Sequence, residues 1–139
     1  MPVLLDTDVA IELLRGNPKC LSRLSLEQGP VCISTITASE LYFGAFNSAH
    51  PAENAAKVDE FLADFRSVSI TNGVARRFGR VKAELRRKAV QAGPFDLLIA
   101  SIALENGCSL ATGNVKHFRF VPDLRLENWI RGDASLGKQ

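Results

Sequence analysis

The sequence has no run of about 18 apolar residues, which is the length that a membrane-spanning helix needs. Its first residues carry no basic segment, and Asp6 interrupts the apolar stretch that begins at Val3, so we expect neither a signal peptide nor association with a membrane. Linkers of low complexity and internal repeats are also absent. The 139 residues, 46% of them hydrophobic and 23% charged, therefore predict one globular domain over residues 1–131, followed by a flexible tail over residues 132–139.

Cysteine and histidine are scarce. The three cysteines (Cys20, Cys32 and Cys108) lie far apart without a C-x-x-C spacing, and there are only two histidines. An odd number of widely spaced cysteines argues against a disulfide framework, and the lack of a cysteine–histidine cluster argues against zinc. We expect three buried thiols in a protein of the reducing cytoplasm.

An excess of charge of one sign is missing as well, since 17 basic residues face 15 acidic ones. The basic charge is nevertheless concentrated, because residues 76–88 carry a net charge of +6. Such a segment is either a solvated helix face or a surface that contacts phosphates. The candidate RNA-binding residues are Arg76, Arg77, Arg80, Arg86, Arg87 and, outside this segment, Lys116.

The apolar pattern alternates between short runs and helical spacing. The short runs predict strands at residues 3–5, 31–33, 68–70, 109–112 and 124–126. Helical spacing, caps and breakers predict helices that follow Asp6–Asp8, span about residues 20–28, begin at Ser34 or Thr35, begin at Pro51, contain Val74–Leu85, and begin at Pro94. This alternation predicts an α/β fold in which a mainly parallel sheet of about five strands is flanked by helices.

Three acidic residues occupy positions where a carboxylate needs an explanation. Asp6 ends an apolar strand, Glu40 lies in the helix after the next strand, and Asp96 opens a very apolar helix. Helix capping is the ordinary explanation for Asp96 and Asp8, and solvent exposure is the ordinary explanation for Glu40. If the three carboxylates converge at the carboxyl end of the sheet, their repulsion favours a divalent cation, and oxygen ligands favour Mg²⁺ or Mn²⁺.

Four short segments carry a resemblance to a known family. They are residues 4–8 (LLDTD), 34–41 (STITASEL), 93–100 (GPFDLLIA) and 110–114 (LATGN). In order and spacing they resemble the PIN-domain ribonucleases, specifically the VapC-type toxins of bacterial toxin–antitoxin systems. The resemblance covers the chain from about residue 3 to residue 130.

The resemblance implies a three-layer PIN-like fold and a Mg²⁺-dependent endoribonuclease. Such an enzyme cleaves structured RNA, for example tRNA or rRNA, and thereby inhibits translation. The resemblance also implies a cytoplasmic homodimer that forms a hetero-oligomer with a cognate, VapB-like antitoxin, whose C-terminal segment blocks the acidic site.

By motif position, Asp6, Glu40 and Asp96 match the three catalytic acids of the family, with Asp6 and Asp96 as metal ligands and Glu40 completing the metal site. Thr7 and Thr112 match supporting positions. Two residues depart from the family pattern. Asn114 stands where many members have a fourth acid, which leaves open whether one or two ions bind, and Asp8 stands where Asn is more usual and either caps its helix or replaces the missing charge.

Two other functions compete with this one. Asp6 and Asp8 after a strand, with Ser34 and Lys116 later in the chain, imitate the haloacid-dehalogenase-like phosphatases, although Asn114 does not supply the acidic pair that those enzymes have after the last strand. A non-catalytic module that binds RNA or a partner through the basic segment is the second alternative. It predicts RNA binding that a chelator does not affect, and no cleavage.

Overall fold

The computed structural model describes residues 1–131; the predicted tail at residues 132–139 lies outside the described part. The strands are β1 (Val3–Leu5), β2 (Val31–Ser34), β3 (Arg66–Val68), β4 (Ser109–Thr112) and β5 (Leu126–Asn128). The helices are α1 (Thr7–Leu14), α2 (Pro18–Ser25), α3 (Thr35–Phe46), α4 (Pro51–Leu62), α5 (Asn72–Arg87), α6 (Pro94–Glu105) and α7 (Val115–Phe118).

Within residues 1–131 the strands form one parallel sheet in the order β3-β2-β1-β4-β5. The central strand β1 pairs with β2 and β4 on either side, so that Leu4 lies beside Cys32 and Leu110. All three residues of β1 are fully buried, as expected when helices cover both faces of a parallel sheet. The predicted parallel α/β architecture is confirmed.

Successive residues of β1 enter different cores because side chains alternate across a strand. Leu4 packs on one side of the sheet in a cluster with residues of α5 and α6, such as Val81 and Ile99. Val3 and Leu5 pack on the other side, in a cluster that includes Val9 of α1 and Cys20 of α2. The sheet is therefore the middle of three layers.

The largest errors of the sequence prediction lie at the edges of the sheet. The predicted strand at 68–70 is displaced, because β3 is an edge strand whose Arg66 and Ser67 are exposed and give no apolar signal. The last strand starts two residues later than predicted, and α2 starts earlier, at Pro18, behind the cap residue Asn17. Helix α7 is a single turn, too short to produce an apolar period, and was not predicted.

None of the helices in residues 1–131 combines the length and the apolar character that a bilayer crossing needs. Cys20, Cys32 and Cys108 are buried free thiols, as predicted.

Candidate active site

Asp6 lies at the carboxyl end of the central strand and is 5% exposed. Its Oδ1 accepts a hydrogen bond from the backbone N–H of Thr7 (2.9 Å), and its Oδ2 accepts one from the hydroxyl of Thr112 (2.8 Å). The Thr112 hydroxyl oxygen in turn accepts from the backbone N–H of Asn114 (2.9 Å). The loop after β4 thus holds the carboxylate of Asp6 through the Thr112 hydroxyl.

Asp8 is the second residue of α1, and its carboxylate reaches across to the loop that follows β4. Oδ1 accepts from the backbone N–H of Val9 (2.7 Å), while Oδ2 accepts from the backbone N–H of Gly113 (2.8 Å) and the side-chain amide of Asn114 (3.2 Å). A β-carbon at residue 113 would lie 2.9 Å from this Oδ2, so glycine is needed for the approach. Both oxygens of Asp8 are therefore occupied by protein donors.

Neither Asp8 nor Asp96 is the N-cap residue of its helix, so the predicted cap positions are wrong. The cap of α1 is Asp6, and α6 begins behind Gly93. Both residues do lie in the first turn of their helices, where the helix dipole favours a carboxylate. For Asp6 the cap and the site coincide, because one oxygen caps α1 and the other faces Thr112.

Glu40 is joined to the end of β1 through Thr7. The Thr7 hydroxyl donates to Glu40 Oε1 (2.7 Å) and lies 3.0 Å from the hydroxyl of Thr37. Because Thr7 has one hydroxyl hydrogen and spends it on Glu40, Thr37 is the donor in the second bond. Ser34 caps α3 through the backbone N–H of Thr37 (3.0 Å), and this cap sets the helix phase that turns Glu40 toward α1.

Asp96 is half-buried at the start of α6, and its Oδ2 lies 3.4 Å from Nδ1 of His117 on α7. His117, Lys116 and Asp96 line the same cavity. The short helix α7 therefore carries basic groups to the edge of the acidic site.

Burial and like charge act together on these aspartates. Burial, followed by repulsion from Asp8, raises the pKa of Asp6 to about 7, and Asp96 contributes in the same direction. Burial also raises the pKa of Asp8, against the hydrogen bonds from Gly113 and Val9. The negative charges of Asp8 and Asp96 thus make the ionisation of Asp6 less favourable, and a bound cation would offset this cost.

The donor set is compatible with a hard divalent cation. Among residues 1–131, no three Asp, Glu, His or Cys side chains are gathered tightly enough to form a complete metal cage. Mg²⁺ does not require one, since it keeps several waters and commonly binds through one or two carboxylates. Asp6 and Asp96 supply two such carboxylates. Asp8 already accepts three hydrogen bonds from the protein, against two for Asp6, and Asn114 carries no charge, so the residues fit one ion better than two.

The comparison with known proteins decides the family. The model of the PIN domain matches residues 3–122. Ribonuclease VapC2 of Haemophilus influenzae is 36% identical over 128 residues, covering 91% of this chain and 97% of that protein. The tRNA(fMet)-specific endonuclease VapC of Shigella flexneri is 35% identical over 127 residues, covering 91% and 96%. The chain is a PIN-domain protein of the VapC ribonuclease family.

Solved structures agree with this assignment. A chain of the VapBC2 complex of Rickettsia felis, bound to a promoter DNA fragment, superposes with a TM-score of 0.87 at 30% identity and covers 93% of this PIN domain and 99% of that chain. A chain of the DNA-bound VapBC of Salmonella typhimurium gives 0.87 at 33% identity, with coverages of 93% and 98%. The PIN-like fold and the ribonuclease class predicted from four motifs are both confirmed.

The fold of this PIN domain brings some predicted residues together and leaves others apart. Asp6, Thr7, Asp8, Thr112 and Asn114 meet at the ends of β1 and β4, and Glu40 joins them through Thr7. Of the basic candidates, Lys116 shares a cavity with Asp96, whereas Arg77 is paired with Glu105 of α6 at 3.0 Å. Arg76, Arg80, Arg86 and Arg87 are exposed on α5.

Sequence reasoning missed two residues that build the site. Thr37 is fully buried and donates to Thr7, and Gly113 provides the N–H and the space that Asp8 needs. A signal existed for Thr37, because its position three residues after the cap Ser34 is where a capped N–H lies.

Proposed function

We propose that this PIN domain is a metal-dependent endoribonuclease that hydrolyses phosphodiester bonds of structured RNA, such as tRNA or rRNA, using Mg²⁺ or Mn²⁺. The observation that carries the proposal is the buried carboxylate of Asp6 at the end of the central strand of a VapC-family fold, where the charges of Asp8 and Asp96 also act on it. We further propose that it acts in the cytoplasm and forms a homodimer. The related solved structures are VapBC complexes, which supports a VapB-like antitoxin that neutralises it in a hetero-oligomer.

The proposed catalytic roles follow from the positions of the three acids and from the hydrogen bonds that orient them. Asp6 and Asp96 would hold a divalent cation, which when bound would acidify a water and offset negative charge on the phosphate. Thr7 and Thr112 keep Glu40 and Asp6 in fixed orientations through their hydroxyl groups. Because Thr7 occupies Oε1 of Glu40, Oε2 is the atom that takes the proton from the attacking water. The water oxygen bonds to phosphorus, the P–O3′ bond breaks, and O3′ takes up a proton, which leaves a 5′-phosphate and a 3′-hydroxyl.

A second cavity on the site fits the role proposed for the antitoxin. It has a volume of about 590 Å³ and reaches from Thr7 and Glu40 to the exposed rings of Phe43 and Phe95. On α3, Leu41 belongs to the core, whereas Phe43 and Phe46 are exposed. An apolar side chain of a partner segment seated here would cover Glu40, and this supports inhibition by occlusion.

The decisive experiment is incubation of the purified protein with total cellular RNA, with Mg²⁺ and with EDTA, followed by mapping of the cleaved ends. We expect cleavage at few sites in the presence of Mg²⁺ and none with EDTA. Asp96→Ala should abolish cleavage and growth inhibition while the circular dichroism spectrum and Tm stay close to those of the wild type.

Three results would contradict the proposal. Cleavage at the wild-type rate by Asp96→Ala would remove Asp96 from the site. RNA binding that is indifferent to EDTA, without cleavage at any Mg²⁺ concentration, would make the chain a binding module. Turnover of a small phosphomonoester through a phosphorylated Asp6 would instead favour a phosphatase.

A further inference from the structure

The cavity that Asp96 shares with Lys116 and His117 has no role in the mechanism above. It has a volume of about 560 Å³, within the range of about 300–1,000 Å³ that is usual for small-molecule sites. Its lining includes Gln91 from the loop before α6, Asp96 itself, Lys116 and His117 of α7, and Phe120 just beyond α7. A ligand in this cavity would lie directly beside the proposed metal-binding carboxylate.

Phe120 is 58% exposed, although the protein has a core position for an aromatic ring two residues earlier. Phe118 fills that position and is 1% exposed, so Phe118 anchors α7 and Phe120 is not needed for packing. A large exposed apolar ring on the wall of a cavity is costly to hydrate, and it offers a flat surface on which another ring can stack. Nucleobases are the flat groups that stack on exposed aromatic side chains in RNA-binding sites.

The polar groups of the cavity match the other parts of a nucleotide. The Gln91 amide has both donors and an acceptor for a base edge, and Lys116 has a positive charge for a phosphate. Gln91 and Ala92 also line a neighbouring cavity of about 370 Å³ that contains Lys82 and Arg86 of α5. A chain of basic groups therefore leads from α5 past Gln91 to Asp96.

The cavity that holds Phe95 differs in this respect. It is lined mainly by apolar residues, among them Ile11, Ile36 and Phe43. That lining suits an apolar protein side chain, whereas the mixed lining around Phe120 suits a nucleotide.

We propose that the Phe120 cavity binds the base of a nucleotide next to the scissile phosphate, with the base stacked on Phe120, its edge hydrogen-bonded to Gln91 and its phosphate near Lys116. This inference rests on the proposed function and deepens it, because it assigns a subsite for one splayed-out nucleotide. It makes Phe120 a determinant of where the RNA is cut.

The test uses an RNA oligonucleotide that contains a mapped cleavage site and a series of versions in which one nucleotide at a time near the cut is abasic. We expect Phe120→Ala to lower kcat/KM on the intact RNA roughly tenfold, as the loss of one stacked base would. One abasic RNA should be cleaved slowly by the wild type and no more slowly by Phe120→Ala, because the stacking partner is already gone. Phe120→Trp should retain activity.

Phe46→Ala is the matched control, since Phe46 is 62% exposed on α3 and does not line this cavity. Equal kcat/KM for wild type and Phe120→Ala would overturn the subsite and leave the proposed function intact. Failure of the wild type to cleave RNA would overturn both. Unchanged cleavage by Phe120→Ala with lost neutralisation by the antitoxin would assign the cavity to a protein partner and also overturn the inference.

Discussion

At the scale of single residues, the site depends on keeping an ionised aspartate where water is largely excluded. Asp6 is buried and faces two further aspartates, and its hydrogen bonds from Thr7 and Thr112 only partly offset the cost. An ion-binding site is often destabilising in the absence of its ion for this reason. The free energy of unfolding of the metal-free protein should therefore increase when this charge is removed.

The variant Asp6→Asn tests this expectation. The folded-state pKa of Asp6, about 7, lies above its ordinary value of 3.8, so folding favours the protonated carboxyl. Its contribution to the free energy of unfolding is therefore complete below about pH 4 and is lost as pH rises through 7. Asparagine removes this loss, and its benefit to the metal-free protein should be larger at pH 8 than at pH 5, by roughly 1–3 kcal/mol. Thermal unfolding in EDTA at both pH values measures it.

The same variant also reports on metal binding. Adding Mg²⁺ should raise the Tm of the wild type, because a ligand that binds only the folded state stabilises it. The Tm of Asp6→Asn should respond little. A Tm of Asp6→Asn below that of the wild type at pH 8 in EDTA would show that the carboxylate stabilises the fold and contradict the prediction.

The Thr7 hydroxyl donates to Glu40, so we expect Thr7 to position that carboxylate. Thr7→Val removes the hydroxyl that holds Glu40 Oε1 but keeps the side-chain shape, and we expect kcat to fall roughly tenfold to a hundredfold with little change in KM. Thr7→Ser keeps the hydroxyl and should restore kcat. A wild-type kcat in Thr7→Val would mean that Glu40 does not need this contact.

The acids of this site were readable from the sequence because each follows a recognisable boundary. Asp6 directly follows an apolar run, and Asp96 lies in the first turn of an apolar helix after Gly-Pro. In a parallel sheet the strands end, and the helices that follow them begin, at the same edge, which predicts that both acids lie there. The link from Glu40 to Thr7 was not readable, because it depends on how α1 and α3 pack against each other. The cavity around Phe120 was equally hidden, since it joins the loop at Gln91 to a helix of one turn.

At the scale of elements, strongly periodic segments were predicted well and irregular ones were not. Helix α5 buries Val74, Val81 and Leu85 along one face, which is the spacing that indicated a helix. The edge strand β3 has only one partly buried residue in three and gives no apolar signal of its own. The predicted strand was displaced toward Ile70, which is apolar but exposed. Apolar periodicity reports burial, and it fails where an element is barely buried.

The exposed face of α5 offers a comparison between two arginines of one helix. Arg86 lines the cavity that adjoins Gln91, whereas Arg77 is engaged by Glu105. We expect Arg86→Ala to weaken RNA binding several-fold and to reduce the slope of log K against log salt concentration by about 0.7–0.9, which corresponds to one phosphate contact. Arg77→Ala should leave the slope nearly unchanged.

Fluorescence anisotropy with a labelled RNA in EDTA, which prevents hydrolysis, measures both slopes. Identical slopes for Arg86→Ala and the wild type would mean that this end of α5 is a solvated face. A larger effect of Arg77→Ala than of Arg86→Ala would place the RNA at the opposite end of the helix.

At the scale of the whole molecule, the acidic site is flanked by two cavities of different chemistry. The cavity toward α7 has a mixed lining that includes Lys116, and the cavity toward α3 is mainly apolar and includes Phe43. If RNA uses the first and the antitoxin uses the second, the two activities should be separable by substitution. Glu40 lines the apolar cavity, so an occupant there would cover Glu40 without filling the Phe120 cavity.

Phe43→Asp provides that separation. Phe43 is 70% exposed, so a carboxylate is tolerated by the fold but opposes an apolar partner side chain and adds charge beside Glu40. Co-expression with the cognate antitoxin, sought as a short reading frame beside the gene, should restore growth to cells that express the wild type and fail to do so for Phe43→Asp. Phe46→Asp, on the same helix but outside this cavity, should remain neutralised. Cleavage of RNA by purified Phe43→Asp shows that the toxin is still active, and full neutralisation of that active variant would exclude the apolar cavity as the antitoxin site.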